Sequence, residues 1–270
     1  MKIKKAAFFL MAFSLLAAGC DTVFDVHPYD VRVNGDTDIN ASQIEKIEKN
    51  TKDKDTIRLA FISDSHQWLD DLTTEINDIN QRDSIDFVVH GGDISDFGAT
   101  REFEWTRSKM MKLNKPFVVL LGNHDCLGTG NQTYEAMFGK PDFSFIAGRV
   151  KFVCLNTNAI EYDYSSPVPN FDFMDEELEA DSADYDRTVV CMHAAPYSEQ
   201  FNNNVAKVFN YYIHRFPQLM FCLYGHGHHT EQNDIFEDGT IFYQVGNAPK
   251  HQYYIFTITP SGYKYEIIDF

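Results

Sequence analysis

Seven short apolar runs constrain the architecture more than any other feature: IRLAFIS, DFVVHG, PFVVLLG, VKFVCLN, RTVVCMH, LMFCLYG and TIFYQVG. Each is rich in β-branched or aromatic residues and almost continuously apolar, the signature of a strand covered on both faces. Amphipathic stretches separate them. Leu69, Leu72, Ile76 and Ile79 stand at helical spacing before the second run, and Val205, Val208, Tyr212 and Phe216 before the sixth. The chain closes on YYIFTITPSGYKYEIIDF, two alternating strands about a Pro-Ser-Gly turn. The pattern predicts an α/β protein whose largely parallel sheet turns antiparallel near its end. A chain of 270 residues suits one such domain.

The residues ahead of these runs have other tasks. Lys2, Lys4 and Lys5 precede an apolar run from Ala6 to Ala18, interrupted only by Ser14, and Ala17, Ala18 and Gly19 lead into Cys20. Thirteen residues, twelve of them apolar, fall short of the ~20 needed to span a bilayer. The stretch resembles a bacterial lipoprotein signal, which implies acylation of Cys20 and a protein anchored by lipid in the cell envelope, facing periplasm or exterior. Residues 1–20 are therefore read as signal peptide. Residues 21–55, polar and charged, are read as a tether with a short helix near Ala41–Lys49, and 56–270 as the globular domain.

Charge narrows the partners. The chain holds 23 Lys and Arg against 40 Asp and Glu. Without the three leader lysines, 20 basic residues remain and the balance is −20. Such a surface repels polyanions, so duplex nucleic acid is excluded as a partner. Past Cys20, four cysteines remain; Cys154, Cys191 and Cys222 lie inside apolar runs, where a thiol behaves as a small hydrophobe. They are expected to be buried and free, and Cys126 to be inert packing.

Five of the runs end in residues able to bind metal. Asp64-Ser65-His66 follows the first, and Gly92-Asp93-Ile94-Ser95-Asp96 the second. Gly122-Asn123-His124-Asp125 follows the third, His193 ends RTVVCM, and Gly225-His226-Gly227-His228 closes LMFCLY. Open α/β sheets collect ligands beyond the carboxyl ends of their strands, so distant segments should meet at one rim. Two aspartates, one asparagine and four imidazoles are too many for one tetrahedral ion. With one carboxylate shared they suit a pair, the arrangement that activates water for phosphoryl chemistry.

D-x-H, G-D-x-x-D, G-N-H-D, a lone His after a strand, and G-H-x-H, in that order, resemble the calcineurin-like metallophosphoesterases. The resemblance covers roughly residues 56–250, with every motif complete. It implies a four-layer α/β/β/α sandwich, two mixed sheets face to face with helices outside. It also implies two divalent ions, with Asp64, His66, Asp93 and His228 on the first and Asn123, His193 and His226 on the second. Asp93 would bridge them, and a shared hydroxide would attack phosphorus in line. His124 would face the leaving group as acid or cationic donor. Asp125 is expected to hold that imidazole's other nitrogen and fix its orientation.

Taken singly, these residues have plainer readings. Asp or Asn after a strand is usually a turn former, and a lone His more often a core residue. Asp96 is given a loop-holding part. His27, His214 and His251 are read as surface or packing residues, His229 as a solvated loop residue, and His90 as buried support. The acidic stretch Asp172–Asp186 lacks the spacing of a calcium loop. Rim aromatics (Tyr134, Phe138, Tyr162, Tyr164, Phe171, Tyr197) are open between substrate stacking and loop anchoring. The leading function is hydrolysis of a small phosphomonoester or phosphodiester. Alternatives are a nuclease or protein phosphatase on the same scaffold, or a metal-stabilised binding lipoprotein that has lost catalysis. The ions are left open among Mn, Fe, Zn and Mg; substrate and oligomeric state are likewise open.

Overall fold

The computed structural model describes residues 27, 30–162, 166–180 and 183–270. Residues 1–20, with the expected signal and Cys20, lie outside them. Among the described residues no helix is long and apolar enough to cross a membrane.

The strands divide into two sheets. One uses β1 (Ile57–Ile62), β2 (Phe87–His90), β3 (Phe117–Val119), β10 (Gln252–Thr259) and β11 (Gly262–Asp269), in the order β11-β10-β1-β2-β3. The other uses β4 (Phe143–Ala147), β5 (Val150–Leu155), β6 (Arg187–Met192), β7 (Leu219–Tyr224), β8 (Glu231–Asn233) and β9 (Phe242–Gln244), in the order β4-β5-β6-β7-β9-β8. Strands β1, β2 and β3 run parallel in the first and β5, β6, β7 and β9 in the second, and β10, β11, β4 and β8 supply the antiparallel pairings.

The sheets face each other. Phe87 of β2 meets Phe152 of β5 edge-on at 5.3 Å, and Phe221 of β7 stacks on Phe256 of β10 at 4.6 Å. Alternation along β5, β6 and β7 sorts side chains between two layers. Phe152, Cys154, Val189, Cys191, Phe221 and Leu223 point between the sheets. Val153, Leu155, Val190, Met192, Cys222 and Tyr224 point outward, under Met174, Phe209 and Ile213 of helices Phe171–Glu179 and Ala206–Ile213. Leu72, Ile76 and Ile79 of helix Leu69–Asn80 join the core on the other side. This is the α/β/β/α sandwich. Burial on both faces explains why the runs read as continuous.

Several expectations need correction. The largely parallel sheet is two mixed sheets, because strands pairing within one sheet and strands packing across two carry the same apolar pattern. The helix before β7 buries Ala206, Phe209 and Ile213, while Val208 is exposed; the buried stripe is set by the larger Phe209. Strand β10 is buried along nearly its whole length, since it lies inside its sheet. Residues 30–55 do not form a tether. Helix Ile39–Thr51 packs on the domain, with Ile39 and Ile47 in the core. Its mean pattern is polar because one narrow face is buried.

The helix before β2 also buries a carboxyl. Glu75 is 2% exposed. Burial first, then the charges of Asp71 and Asp78, push it well above the ordinary carboxylate range. A carboxyl raised in the folded state favours folding while protonated, at and below its unfolded pKa. That contribution is lost as pH rises through the folded value. Glu75→Gln is therefore expected to raise stability at pH 8 by ~1–3 kcal/mol and to change little at pH 4. Urea unfolding at both pH values checks it; equal shifts would reject the account.

Candidate metal centre

Loops at the carboxyl ends of β1, β2, β3, β6 and β7 converge at one rim, and two backbone bonds join the first pair. Asp64 N donates to Gly92 O at 3.0 Å, and His66 N to Asp93 O at 2.9 Å. Tight paths come at a conformational cost. Asp64, His66, Asp93, His226 and His228 all hold positive φ, between 44° and 69°. Such backbone persists where surrounding contacts over-determine it, and it clusters at functional sites. Glycines make room beside them. Gly92 has φ +104°, and a Cβ there would lie 2.8 Å from both Gly122 N and His193 Nδ1. A Cβ on Gly225 would lie 2.6 Å from Asp64 Oδ2.

The seven expected ligand side chains form a continuous set. His66 Nε2 is 3.4 Å from His228 Nε2 and 3.7 Å from Asp93 Oδ2, and His228 Nε2 is 3.3 Å from Asp64 Oδ1. His193 Nε2 lies 3.3 Å from Asp93 Oδ2 and 3.0 Å from Asn123 Oδ1, and His226 Nδ1 lies 3.0 Å from the same Asn123 oxygen. Asp64, His66, Asp93 and His228 can surround one ion, and Asp93, His193 and His226 another. Asp93 belongs to both groups.

Outer contacts fix which imidazole nitrogens face inward. His66 Nδ1 meets Ser95 O at 3.2 Å and Asp96 Oδ1 at 2.8 Å. His193 Nδ1 meets Gly91 O at 2.8 Å, and His226 Nε2 meets Glu199 Oε1 at 2.8 Å. All these partners accept, so each ring can keep one proton on its outer nitrogen when a cation takes the inner one. A neutral ring then turns a bare lone pair inward, the orientation of a metal-binding histidine. At the centre, Asp93 Oδ2 is buried without a hydrogen-bond donor. Donor set and orphaned oxygen both fit divalent cations, and the absence of thiolate fits a hard-to-borderline ion.

Electrostatics point the same way. Burial alone would lower the His193 pKa, yet Asp93 and Asp64 raise it to about 10. Burial likewise opposes ionisation of Asp64, but His228 and His193 hold its carboxyl below the usual range. The cluster thus demands positive charge.

Asp125 departs from expectation. It is fully buried and does not pair with His124. Its carboxylate accepts from Ile94 N, Ser95 N, Ser95 Oγ and Gly122 N at 2.8–3.3 Å. Burial first, then Asp93, push it up to about 7. Asp125 ties the Asp93 loop to the Asn123 loop. Its position next to His124 in sequence is misleading, because the short helical turn at His124–Cys126 sends neighbouring side chains apart. His124 Nδ1 instead donates to Asp96 O at 2.9 Å, and its ring meets His66 edge-on at 4.8 Å.

Most residues set aside from the site stay outside it. His90 accepts from Gly92 N on Nδ1 at 3.2 Å and reaches Ser65 Oγ with Nε2 at 3.1 Å; burial lowers its pKa to about 4. It is neutral support beneath the Asp64 loop. His214 reaches Thr240, and His251 reaches Asp71. Tyr134 and Phe138 are core residues. Burial raises the Cys126 thiol pKa, which suits packing. The sequence reading missed Glu199, since no local pattern links it to His226, and it missed Trp68, whose ring meets His66 edge-on at 5.1 Å.

Fold and site together define a phosphoesterase-type metal centre. The model of the calcineurin-like phosphoesterases matches residues 57–230, and the chain belongs to that family. A 3',5'-cyclic-nucleotide phosphodiesterase of Nostoc sp. is 27% identical over 156 residues, covering 54% of this chain and 57% of the relative. The chain thus matches just over half the length of that relative. Among solved structures, a dimetal phosphatase from Danio rerio superposes with TM-score 0.61 at 12% identity, covering 79% of this chain and 98% of that one. Purple acid phosphatase from yellow lupin gives 0.59 at 14%, covering 79% and 53%. At these identities the likeness establishes the fold.

Proposed function

We propose that the protein hydrolyses a small phosphomonoester or phosphodiester with two divalent ions held at this centre. Asp64, His66, Asp93 and His228 would hold one, and Asn123, His193 and His226 the other, with Asp93 common to both. The observation that carries the reading is the convergence of two sets of ligand atoms on Asp93, whose Oδ2 is buried without a hydrogen-bond donor. Such a pair supplies an activated water at neutral pH and Lewis-acid stabilisation of the phosphoryl oxygens. The residues' own part is to fix geometry. Gly91 O, Asp96 and Glu199 set the imidazole tautomers. Asp125 locks two loops together. His124, with Nδ1 committed to Asp96 O, has Nε2 available to donate a proton to the leaving oxygen. The acidic balance disfavours long polyanions as substrates. We further propose that acylation of Cys20 anchors the protein in a bacterial cell envelope.

The test is direct. Protein stripped by chelator should be inactive, and Mn²⁺ should restore cleavage of chromogenic phosphate esters. His124→Ala should keep its metal and lose ~10²–10⁴-fold in kcat. Two tightly bound ions with no turnover on mono- or diesters would instead mark a binding protein.

A further inference from the structure

Two exposed aromatic residues lie on the loops that carry His66 and Asp96, at the His124 edge of the cluster. Trp68 is 39% exposed, and its ring lies 5.1 Å from His66 and 6.2 Å from His228. Phe97 is 70% exposed and directly follows Asp96, whose carbonyl accepts from His124 Nδ1. Isolated exposed apolar residues are ordinary. These two differ because one buried carboxylate holds both of their loops. Glu102 is 6% exposed. Its Oε1 accepts from Gln67 Nε2 at 2.7 Å, next to Trp68, and its Oε2 accepts from Phe97 N at 2.9 Å and Ala99 N at 3.2 Å. Helix Thr100–Met110 thereby fixes the spacing of two loops that would otherwise move independently. Two water-facing rings on loops so fastened offer stacking surfaces for a planar group, and such surfaces bind more strongly when their loops are already ordered.

Resting on the hydrolase reading above, we propose that Trp68 and Phe97 determine specificity by receiving a planar aromatic or heterocyclic group on the leaving alcohol, and that Glu102 is the positioning residue for both. In the reaction, water adds its oxygen to phosphorus and releases a proton to solvent, the bond from phosphorus to the alcohol oxygen breaks, and that oxygen takes a proton from His124, which solvent then restores. The alcohol therefore departs on the His124 side, toward the loop of Asp96 and Phe97 and, across His66, toward Trp68.

The experiment compares two esters whose alcohols have similar acidity, naphthylmethyl and cyclohexylmethyl, each as phosphate monoester and as methyl diester, on metal-loaded full-length protein. Wild type should prefer the naphthylmethyl ester. Trp68→Ala and Phe97→Ala should each lower its kcat/KM about tenfold, mainly through KM, and leave the cyclohexylmethyl ester within about twofold. Trp68→Phe should recover most of the loss. Glu102→Gln should narrow the preference while bound metal and circular dichroism stay unchanged. Calorimetry with naphthylmethyl- and cyclohexylmethylphosphonate gives the same comparison without turnover. Equal losses for both esters, or no preference in wild type, would overturn the stacking role and leave the hydrolase reading standing. Failure to cleave either ester, with metal loaded and no phosphonate bound, would overturn both.

Discussion

Replacing Asp93 by Asn is expected to abolish hydrolysis while leaving the fold in place. Asp93 Oδ1 accepts the His124 backbone N–H at 2.9 Å, and an asparagine oxygen can keep that bond. What changes is the other atom. Oδ2, buried and without a donor, becomes an amide whose hydrogens point at the bare Nε2 atoms of His66 and His193. An amide nitrogen has no lone pair for a cation, and the cluster loses one of its two aspartate charges. Both candidate groups contain Asp93, so both lose a ligand together. Metal-ion stabilisation of the transition state is worth several kcal/mol, and ~4 kcal/mol corresponds to roughly a 10³-fold fall in kcat. Thermal unfolding offers a readout apart from turnover. Metal at a hundred times its Kd should stabilise the wild-type fold by ~2.7 kcal/mol per site, and the variant should lose most of that gain. A variant that binds two ions with wild-type affinity and turns over normally would remove Asp93 from the centre.

The legible part of this molecule was whatever local sequence decides. Short apolar runs ending in Asp, Asn or His marked both the strands and their carboxyl ends, because a strand buried on two faces has little freedom in composition. That was enough to bring Asp64, Asp93, Asn123, His193 and His226 to one rim. Contacts made through the backbone were not legible. Gly91 O and Ser95 O orient His193 and His66, yet a carbonyl leaves no trace in residue type. Asp125 misled because adjacency in sequence suggested adjacency in space, whereas its carboxylate is spent on four backbone and side-chain donors. Glu199 and Glu102 act between loops distant in the chain, where pairing depends on how the sheets set those loops side by side. The strands β4 and β8 escaped notice for a related reason: both are edge strands, and β8 (Glu231–Asn233) has no apolar run at all.

The helix Ile39–Thr51 should prove indispensable, and the largest stability loss is expected there. It covers β3, the edge strand of its sheet, whose outer backbone would otherwise be open to water or to another chain. Asn40 closes that edge as a further strand would. Its Oδ1 accepts from Val119 N at 3.0 Å and its Nδ2 donates to Val119 O at 2.9 Å, with Asn40 itself 3% exposed. Asn40→Ala leaves the Val119 N–H buried and unpaired, while Val119 O keeps the Tyr134 hydroxyl at 2.6 Å, so a loss of ~1–3 kcal/mol is expected. Ile39 and Ile47 each add ~1.5–3 kcal/mol of burial. Thr51 Oγ1 and Glu48 accept from Gly148 N and Ile146 N on the hairpin of the other sheet, so the helix also fastens the two sheets. These contributions approach the ~5–15 kcal/mol that separates folded from unfolded for a typical domain. A chain beginning at Thr56 should therefore aggregate or melt without cooperativity, and Asn40→Ala in the full-length protein should lower the urea midpoint with unchanged slope. Identical midpoints for the full-length and shortened proteins would restore the tether. The chain is already fastened at Asp30, whose carbonyl accepts from Thr100 Oγ1. On the proposed anchor, the ten residues from Cys20 to Asp30 reach at most ~36 Å. The attachment point at Asp30 would then lie within that distance of the lipid.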